Sequence, residues 1–224
     1  MGVQYLSTDP TVSGAIGSTG ILHELTDAIG RAELVVARLM ECSRPEHIEL
    51  RRASLRKVIR NALKLLGQEL CAGNIEVRTT LASNLPLLQL DRARIEQVFI
   101  SLFLNAIQAM TAGGTLSINA RLKQLEPGEF QYDPGSRSGQ RFRAGETVVA
   151  IDIEDTGPGI APEIVARVFD PFFTTKEIGI GTGLGLTVSR NIIELHGGSL
   201  TLHTREPHGA CVTLLLKCPV KARK

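Results

Sequence analysis

Residues 155–160 read DTGPGI, from Asp155 to Ile160, and residues 181–186 read GTGLGL, from Gly181 to Leu186, with FDPFFTTK at Phe169 to Lys176 between them. Asp155 follows the apolar, strand-like run ETVVAIDIED and opens a loop that Gly157, Pro158 and Gly159 force to turn sharply. A carboxylate there accepts hydrogen bonds and donates none, which suits an amino group such as the exocyclic amine of adenine. Glycines let the backbone approach a flat ring closely. The plain alternative is a strand-ending turn with Asp as its local cap. GTGLGL precedes a helical pattern, so its backbone N–H groups can face phosphate oxygens at a helix N-terminus; the alternative is a flexible hinge. It is neither a dinucleotide fingerprint after a strand in a βαβ unit nor a GK[ST] loop.

A third piece lies upstream. In FISLFLNAIQAM, Asn105 interrupts an apolar helix face and must find a partner. Its amide oxygen can serve a hard cation such as Mg²⁺, which usually keeps waters and shares phosphate oxygens; otherwise it is a satisfied core asparagine. Lys176 could neutralise a terminal phosphate or be a solvated loop lysine. Phe169, Phe172 and Phe173 are either core or anchors of a lid.

The rest of the chain frames these pieces. It has 224 residues, 43% hydrophobic and 21% charged, with net charge +2. That predicts one soluble globular core and gives no global pointer to nucleic acid or an anionic membrane. No apolar run is long enough for a membrane span, and MGVQYLSTDP has neither a basic n-region nor an apolar h-region, so no secretion signal is expected in it. Cys42, Cys71, Cys211 and Cys218 are scattered without a CxxC pair, so reduced thiols in a cytoplasmic location are expected rather than zinc. Residues 1–20 read as a flexible lead or an expression remnant. Leu22, Leu25, Ile29, Ala32, Val36 and Leu39 form a heptad seam on a helix that ends before Pro45. So narrow a stripe wants a partner helix, predicting a homodimer through residues 21–42 or docking on its own domain.

Beyond it, SLRKVIRNALKLLG reads as an amphipathic helix with Ser54 as N-cap and Gly67 as stop. IEVRTTL alternates as a strand. Asp91 caps a second helix that ends at residues 112–114. TLSINARL and ETVVAIDIED are strands joined by a polar loop over 123–146. GLGLTVSRNIIELHG is a third helix stopped by Gly197 and Gly198, and SLTLHTRE and CVTLLLKC are closing strands. The expected fold is an α/β two-layer sandwich. A mixed β-sheet carries three main helices on one face, preceded by a long coiled-coil-like helix, with domains at 1–20, 21–45 and 46–224.

Together these stretches resemble the catalytic and ATP-binding domain of bacterial sensor histidine kinases, in the ATPase superfamily shared with gyrase, MutL and the heat-shock chaperone. RIEQVFISLFLNAIQAM looks like the N box, DTGPGI the G1 box, FDPFFTTK the F box and GTGLGL the G2 box, in the family's order. HGACVTLLL is similar to the closing G3 strand. The FFTTKE–GTGLGL form looks most like nitrogen-regulator-type kinases. The resemblance covers roughly residues 50–219.

The resemblance implies that the two glycine loops wall one nucleotide pocket, for ATP or ADP with Mg²⁺. Asn105 would coordinate the metal and, with Lys176, serve catalysis. Asp155 would bind the adenine amine with Gly159 behind the ring. Ala109, Gly157, Ile160, Phe172, Lys176, Gly181, Thr182, Gly183, Leu184, Gly185, Leu186 and Thr213 would complete the nucleotide contacts, residues 176–186 forming a lid. Ser101 departs from the family, which often has Asn or Glu there; a serine activates water poorly, so little intrinsic hydrolysis is expected. The family also implies a dimeric bundle whose first helix bears the phosphoacceptor histidine. His23-Glu24 is present, but ELTDAIGRAELVVARLMECSRP resembles the second bundle helix, so His23 is read as an ordinary helix residue and the acceptor helix as missing. The implied function moves the γ-phosphoryl of ATP to a histidine, for relay to the receiver domain of a response regulator. The alternatives are a nucleotide-binding interaction module without phosphotransfer and an anti-sigma-type serine kinase.

Overall fold

The computed structural model describes residues 48–127, 142–176, 182–206 and 208–219. His23, the heptad seam and its homodimer, Cys42, residues 1–20, Gly181 and the middle of the 123–146 loop lie outside them. Glu46–Thr174 with Gly183–Lys224 form one unit; Thr175, Lys176 and Thr182 belong to a second.

The main unit is a five-stranded mixed sheet. Its strands are β2 (Ile75–Leu81), β4 (Gly114–Gln124), β5 (Thr147–Glu154), β6 (Ser199–Thr204) and β7 (Ala210–Lys217), in the order β2-β4-β5-β7-β6. β2 and β4 run parallel, with Ile75 opposite Gly114; the other neighbours are antiparallel. A small second ladder pairs β1 (Arg51–Ser54) with β3 (Leu87–Leu90), Arg51 opposite Leu90.

The helices are α1 (Leu55–Leu65), α2 (Gly67–Ala72), α3 (Arg92–Ala109), the short α4 (Pro162–Val165) and α5 (Gly185–Leu195). Leu55, Val58, Ile59 and Ala62 give α1 one buried stripe. Ile95, Val98, Phe99, Leu102, Phe103 and Ala106 do the same for α3 at helical spacing. These stripes meet Leu116, Ile118, Val149, Ile151, Ile153, Leu214 and Leu216 from one sheet face in a single core. Phe99 and Phe103 are fully buried and stacked, ring centroids 5.7 Å apart; each contributes about 1.5–3 kcal/mol through burial. The predicted sandwich is therefore the observed one.

Two sequence-based expectations change. Ser54 is the last residue of β1 and makes no side-chain cap bond to α1, because the strand ladder already fixes its backbone. Gly67 does not stop the helical stretch but opens α2; the left-handed turn expected of a stop comes at Asn74, with φ 51°. Asp91 caps α3 as expected, accepting from the Arg94 N–H at 3.3 Å. No helix among the described residues is long and apolar enough to cross a membrane.

Candidate functional site

The site is built around Asp155, which continues β5 on its core-facing side. It is 8% exposed. Its Oδ1 accepts from the backbone N–H of Gly157 at 2.9 Å and of Ala210 at 3.2 Å. Both bonds fall on Oδ1, and no described residue donates to Oδ2. Burial raises the carboxyl above its ordinary value, opposed by those two N–H donors and by the Arg205 guanidinium. The chain closes over this group at Gly209, whose φ is +102° and where a Cβ would collide with the Asp155 carbonyl oxygen. The sequence around Gly209 and Ala210 does not by itself mark them as site residues. Both are more than fifty positions away in sequence, and only the β5–β7 pairing brings them in.

The G1 loop then folds onto the end of α3. A Cβ on Gly157 would stand 3.3 Å from the Ala109 carbonyl oxygen and 3.4 Å from its Cβ. Gly159, with φ +80°, packs against Gly209 and Thr204, and the Thr204 hydroxyl donates to the Ile160 carbonyl at 2.6 Å. The Thr156 hydroxyl accepts from the Thr115 N–H at 3.0 Å, fixing the loop to β4.

The second glycine loop meets the same helix one end further back. A Cβ on Gly185 would lie 2.9 Å from the Ser101 Oγ. Ser101, Asn105 and Ala109 are spaced four apart, so they share one face of α3 over about 12 Å. Asn105 is half-buried between the two contacts. The N-terminus of α5 has Leu184 at its cap position and no side-chain cap. A helix start without a side-chain cap presents its first-turn N–H groups and positive dipole end to an anion. Leu184 is fully buried and Leu186 packs on the core, so their side chains serve packing and only their backbone could face a ligand. Phe172 is half-exposed, with φ +65°, and its backbone lies where a Gly183 Cβ would be. Phe169 is held by the Thr187 hydroxyl on its carbonyl at 3.0 Å and by Arg190, 5.0 Å above its ring. Lys176 and Thr182 fall in the second unit; burial lowers the Lys176 amine below its ordinary value.

Thr213 is not brought to this group. β7 alternates, with Leu214 and Leu216 in the core and Thr213 on the opposite sheet face. There its hydroxyl donates to Asp152 at 2.8 Å, beside the Arg121–Asp152 ion pair, in a concavity of about 290 Å³. The resemblance implied Thr213 without fixing which parity of β7 faces the helices, and the pairing of β7 with β5 puts it on the other face.

Among the described residues no group of three or more His, Cys, Asp or Glu could hold a metal ion. A side-chain amide oxygen such as that of Asn105 would fit Mg²⁺ arriving with phosphate oxygens and waters rather than a resident ion.

Residues 90–220 match the family of "Histidine kinase-, DNA gyrase B-, and HSP90-like ATPase". The chain belongs to this ATPase family. Sensor histidine kinase ZraS of Salmonella typhimurium is 35% identical over 209 residues, covering 92% of this chain and 40% of that relative. The catalytic domain of histidine kinase ThkA superposes with a TM-score of 0.58 at 30% identity, over 76% of this chain and 96% of that one. ThkA in complex with response regulator protein TrrA gives a TM-score of 0.66 at 25% identity, over 99% of this chain and 57% of that one. The chain thus carries an ATPase domain of the histidine kinase type. It spans 40% of the length of the curated relative it matches.

Proposed function

We propose that the domain binds ATP with Mg²⁺ and presents the γ-phosphoryl to a histidine on a helical bundle, for relay to a response regulator. The observation that carries this reading is the α3 stripe. One helix face touches the G1 loop at Gly157 and the start of α5 at Gly185, with Asn105 between. The open Oδ2 of Asp155 suits the adenine amine. The uncapped start of α5 suits the phosphates, and Asn105, on the α3 face between the two loops, would hold Mg²⁺ shared with them. Bound Mg²⁺ would neutralise phosphate charge; the protein's own part is to position the nucleotide and exclude water. Ser101 carries no carboxylate to activate water, so phosphoryl transfer to water is expected to be slow.

ATP and its receiver partner enter by likeness. The family is one of ATPases, the curated relatives are sensor histidine kinases, and ThkA is known in complex with a response regulator. The nitrogen-regulator-like subtype and the homodimer through residues 21–42 belong to the same proposal. The test is calorimetric titration with a non-hydrolysable ATP analogue with and without Mg²⁺, then incubation with γ-labelled ATP and a separate acceptor-helix protein. Tight binding that weakens without Mg²⁺, and acid-labile, alkali-stable label on the added helix, are expected. Binding without label on any acceptor would leave a nucleotide-binding module. Absence of binding would end the reading.

A further inference from the structure

We infer that His196 is a positioning residue: its imidazole locks the angle between α3 and α5, and so holds the start of α5 in place against Asn105. The inference rests on the reading above for its functional consequence, and on geometry alone for the lock.

Both ring nitrogens of His196 are used. Nε2 accepts from the backbone N–H of Asp91 at 2.9 Å, and Nδ1 stands 2.7 Å from the Ile192 carbonyl oxygen. A carbonyl only accepts, so Nδ1 bears the proton and Nε2 is the acceptor. The ring is the neutral tautomer with both positions satisfied. It is half-buried, and burial holds it below its ordinary value.

The partner on α3 is itself a junction. Asp91 is the N-cap; its Oδ1 accepts from Arg94 and its Oδ2 from the Glu49 N–H at 3.3 Å. In a capping box the residue three positions on, a Glu or Gln, reaches back to the cap's own N–H. Here that residue is Arg94, which cannot accept. His196, from 105 residues later, supplies the acceptor instead. The cap of α3 is therefore completed by the end of α5.

The two helices meet at two ends. The end of α5 is tied at His196–Asp91, and its start rests on Ser101 through Gly185. Eleven residues separate these attachments along α5, about 16 Å. Two attachments at that separation define an angle; one alone defines a pivot. Without the imidazole bond, the end of α5 has no hydrogen bond to Asp91 and is tied to α3 by apolar packing alone. The direction of its first-turn N–H groups relative to Asn105 is then no longer fixed, while the buried Ile192 and Ile193 keep the helix on the core.

The charged group that acts on the ring is the Asp91 carboxylate from α3; on its own helix, Glu194 pairs with Arg190 at 3.3 Å. Protonation turns Nε2 from acceptor to donor, opposite a donor N–H. The bond to Asp91 is then lost although the carboxylate favours the cation.

The test compares His196→Gln, whose side chain reaches the Nε2 position, with His196→Asn, which reaches only Nδ1. Affinity for a non-hydrolysable ATP analogue is measured from pH 5.5 to 8, alongside backbone amide chemical shifts without nucleotide. His196→Asn is expected to weaken binding about threefold to tenfold and to move the amides of residues 101–105 and 184–186. His196→Gln should keep both near the wild type and remove the acid-side loss of affinity. Amides at Gly185 that stay put in His196→Asn, or equal losses in both variants, would overturn the lock. If the wild type binds no nucleotide, the functional reading fails, and the amide shifts alone still decide the lock.

Discussion

Ser101 and Gly185 touch. A Cβ on Gly185 would come within 2.9 Å of the Ser101 hydroxyl, so α3 and α5 approach at a distance that only a small residue on each side allows. Gly185→Ala should therefore cost no more than about 1 kcal/mol, because the clash is with the tip of a side chain that can rotate away. Adding Ser101→Ala should recover most of that loss, since the clash is with Oγ. Urea unfolding of the two single variants and the double variant measures the coupling; additive losses would show that the clash is not the cause.

Asp155→Asn separates binding from folding. Asn keeps an oxygen for the Gly157 and Ala210 N–H groups but replaces the open acceptor with a donor. Affinity for adenine nucleotide should fall at least about tenfold. Stability should move the other way. The folded carboxyl sits above its unfolded value of about 3.9, so between the two values the native state binds more protons. Stability then falls as pH rises through that window, and the loss persists at neutral pH. The variant removes this burden, so at pH 7 its urea midpoint should match or exceed the wild type, with the difference vanishing below the window.

His196 predicts the opposite slope. Its folded value is depressed below about 6.5, so in the window beneath 6.5 the unfolded chain binds more protons and stability rises with pH. The contribution is complete above 6.5 and is lost as pH falls. Melting temperatures at pH 5.5 and 7.5 should differ more for the wild type than for His196→Gln. Equal differences would remove His196 from the pH dependence.

Gly209→Ala should be among the most damaging single changes. The position has φ +102° and faces the Asp155 carbonyl, so both strain and collision apply, together on the order of 2–4 kcal/mol. Loss of nucleotide affinity should accompany the fall in unfolding midpoint, because Ala210 carries one of the two N–H groups that hold Asp155.

Thiol chemistry gives a check on burial. Cys211 is 4% exposed, and burial pushes its thiol up to about 11; a protonated, covered thiol is unreactive. Cys71 is exposed. A disulfide reagent at pH 7.5 should modify Cys71 quickly and Cys211 only on unfolding, read by mass spectrometry after digestion.

The sequence made the local part of this structure legible. IEVRTTL alternates, and β2 spans those seven residues. Asp91 precedes an apolar period, and it caps α3. Asn105 breaks an apolar face, and it lies on the α3 stripe between the two glycine loops. What stayed hidden depends on partners far along the chain. The β1–β3 ladder is four residues per strand, too short for a period to show. The resemblance implied Thr213 as a pocket residue, but its face is set by the pairing of β7 with β5. His196 looked like the tail of a helix, and nothing near it in sequence names Asp91.

The small ladder has a mechanical meaning. The chain enters through Glu49, bonded to Asp91, then runs as β1 antiparallel to β3, which leads straight into the cap of α3. A pull on residue 48 would therefore meet the Glu49–Asp91 bond and then the β1–β3 ladder, and Asp91 also anchors α5 through His196. Both attachments precede any contact of the incoming strand with the five-stranded sheet. The domain has, in effect, a load path running from its entrance to the start of α3.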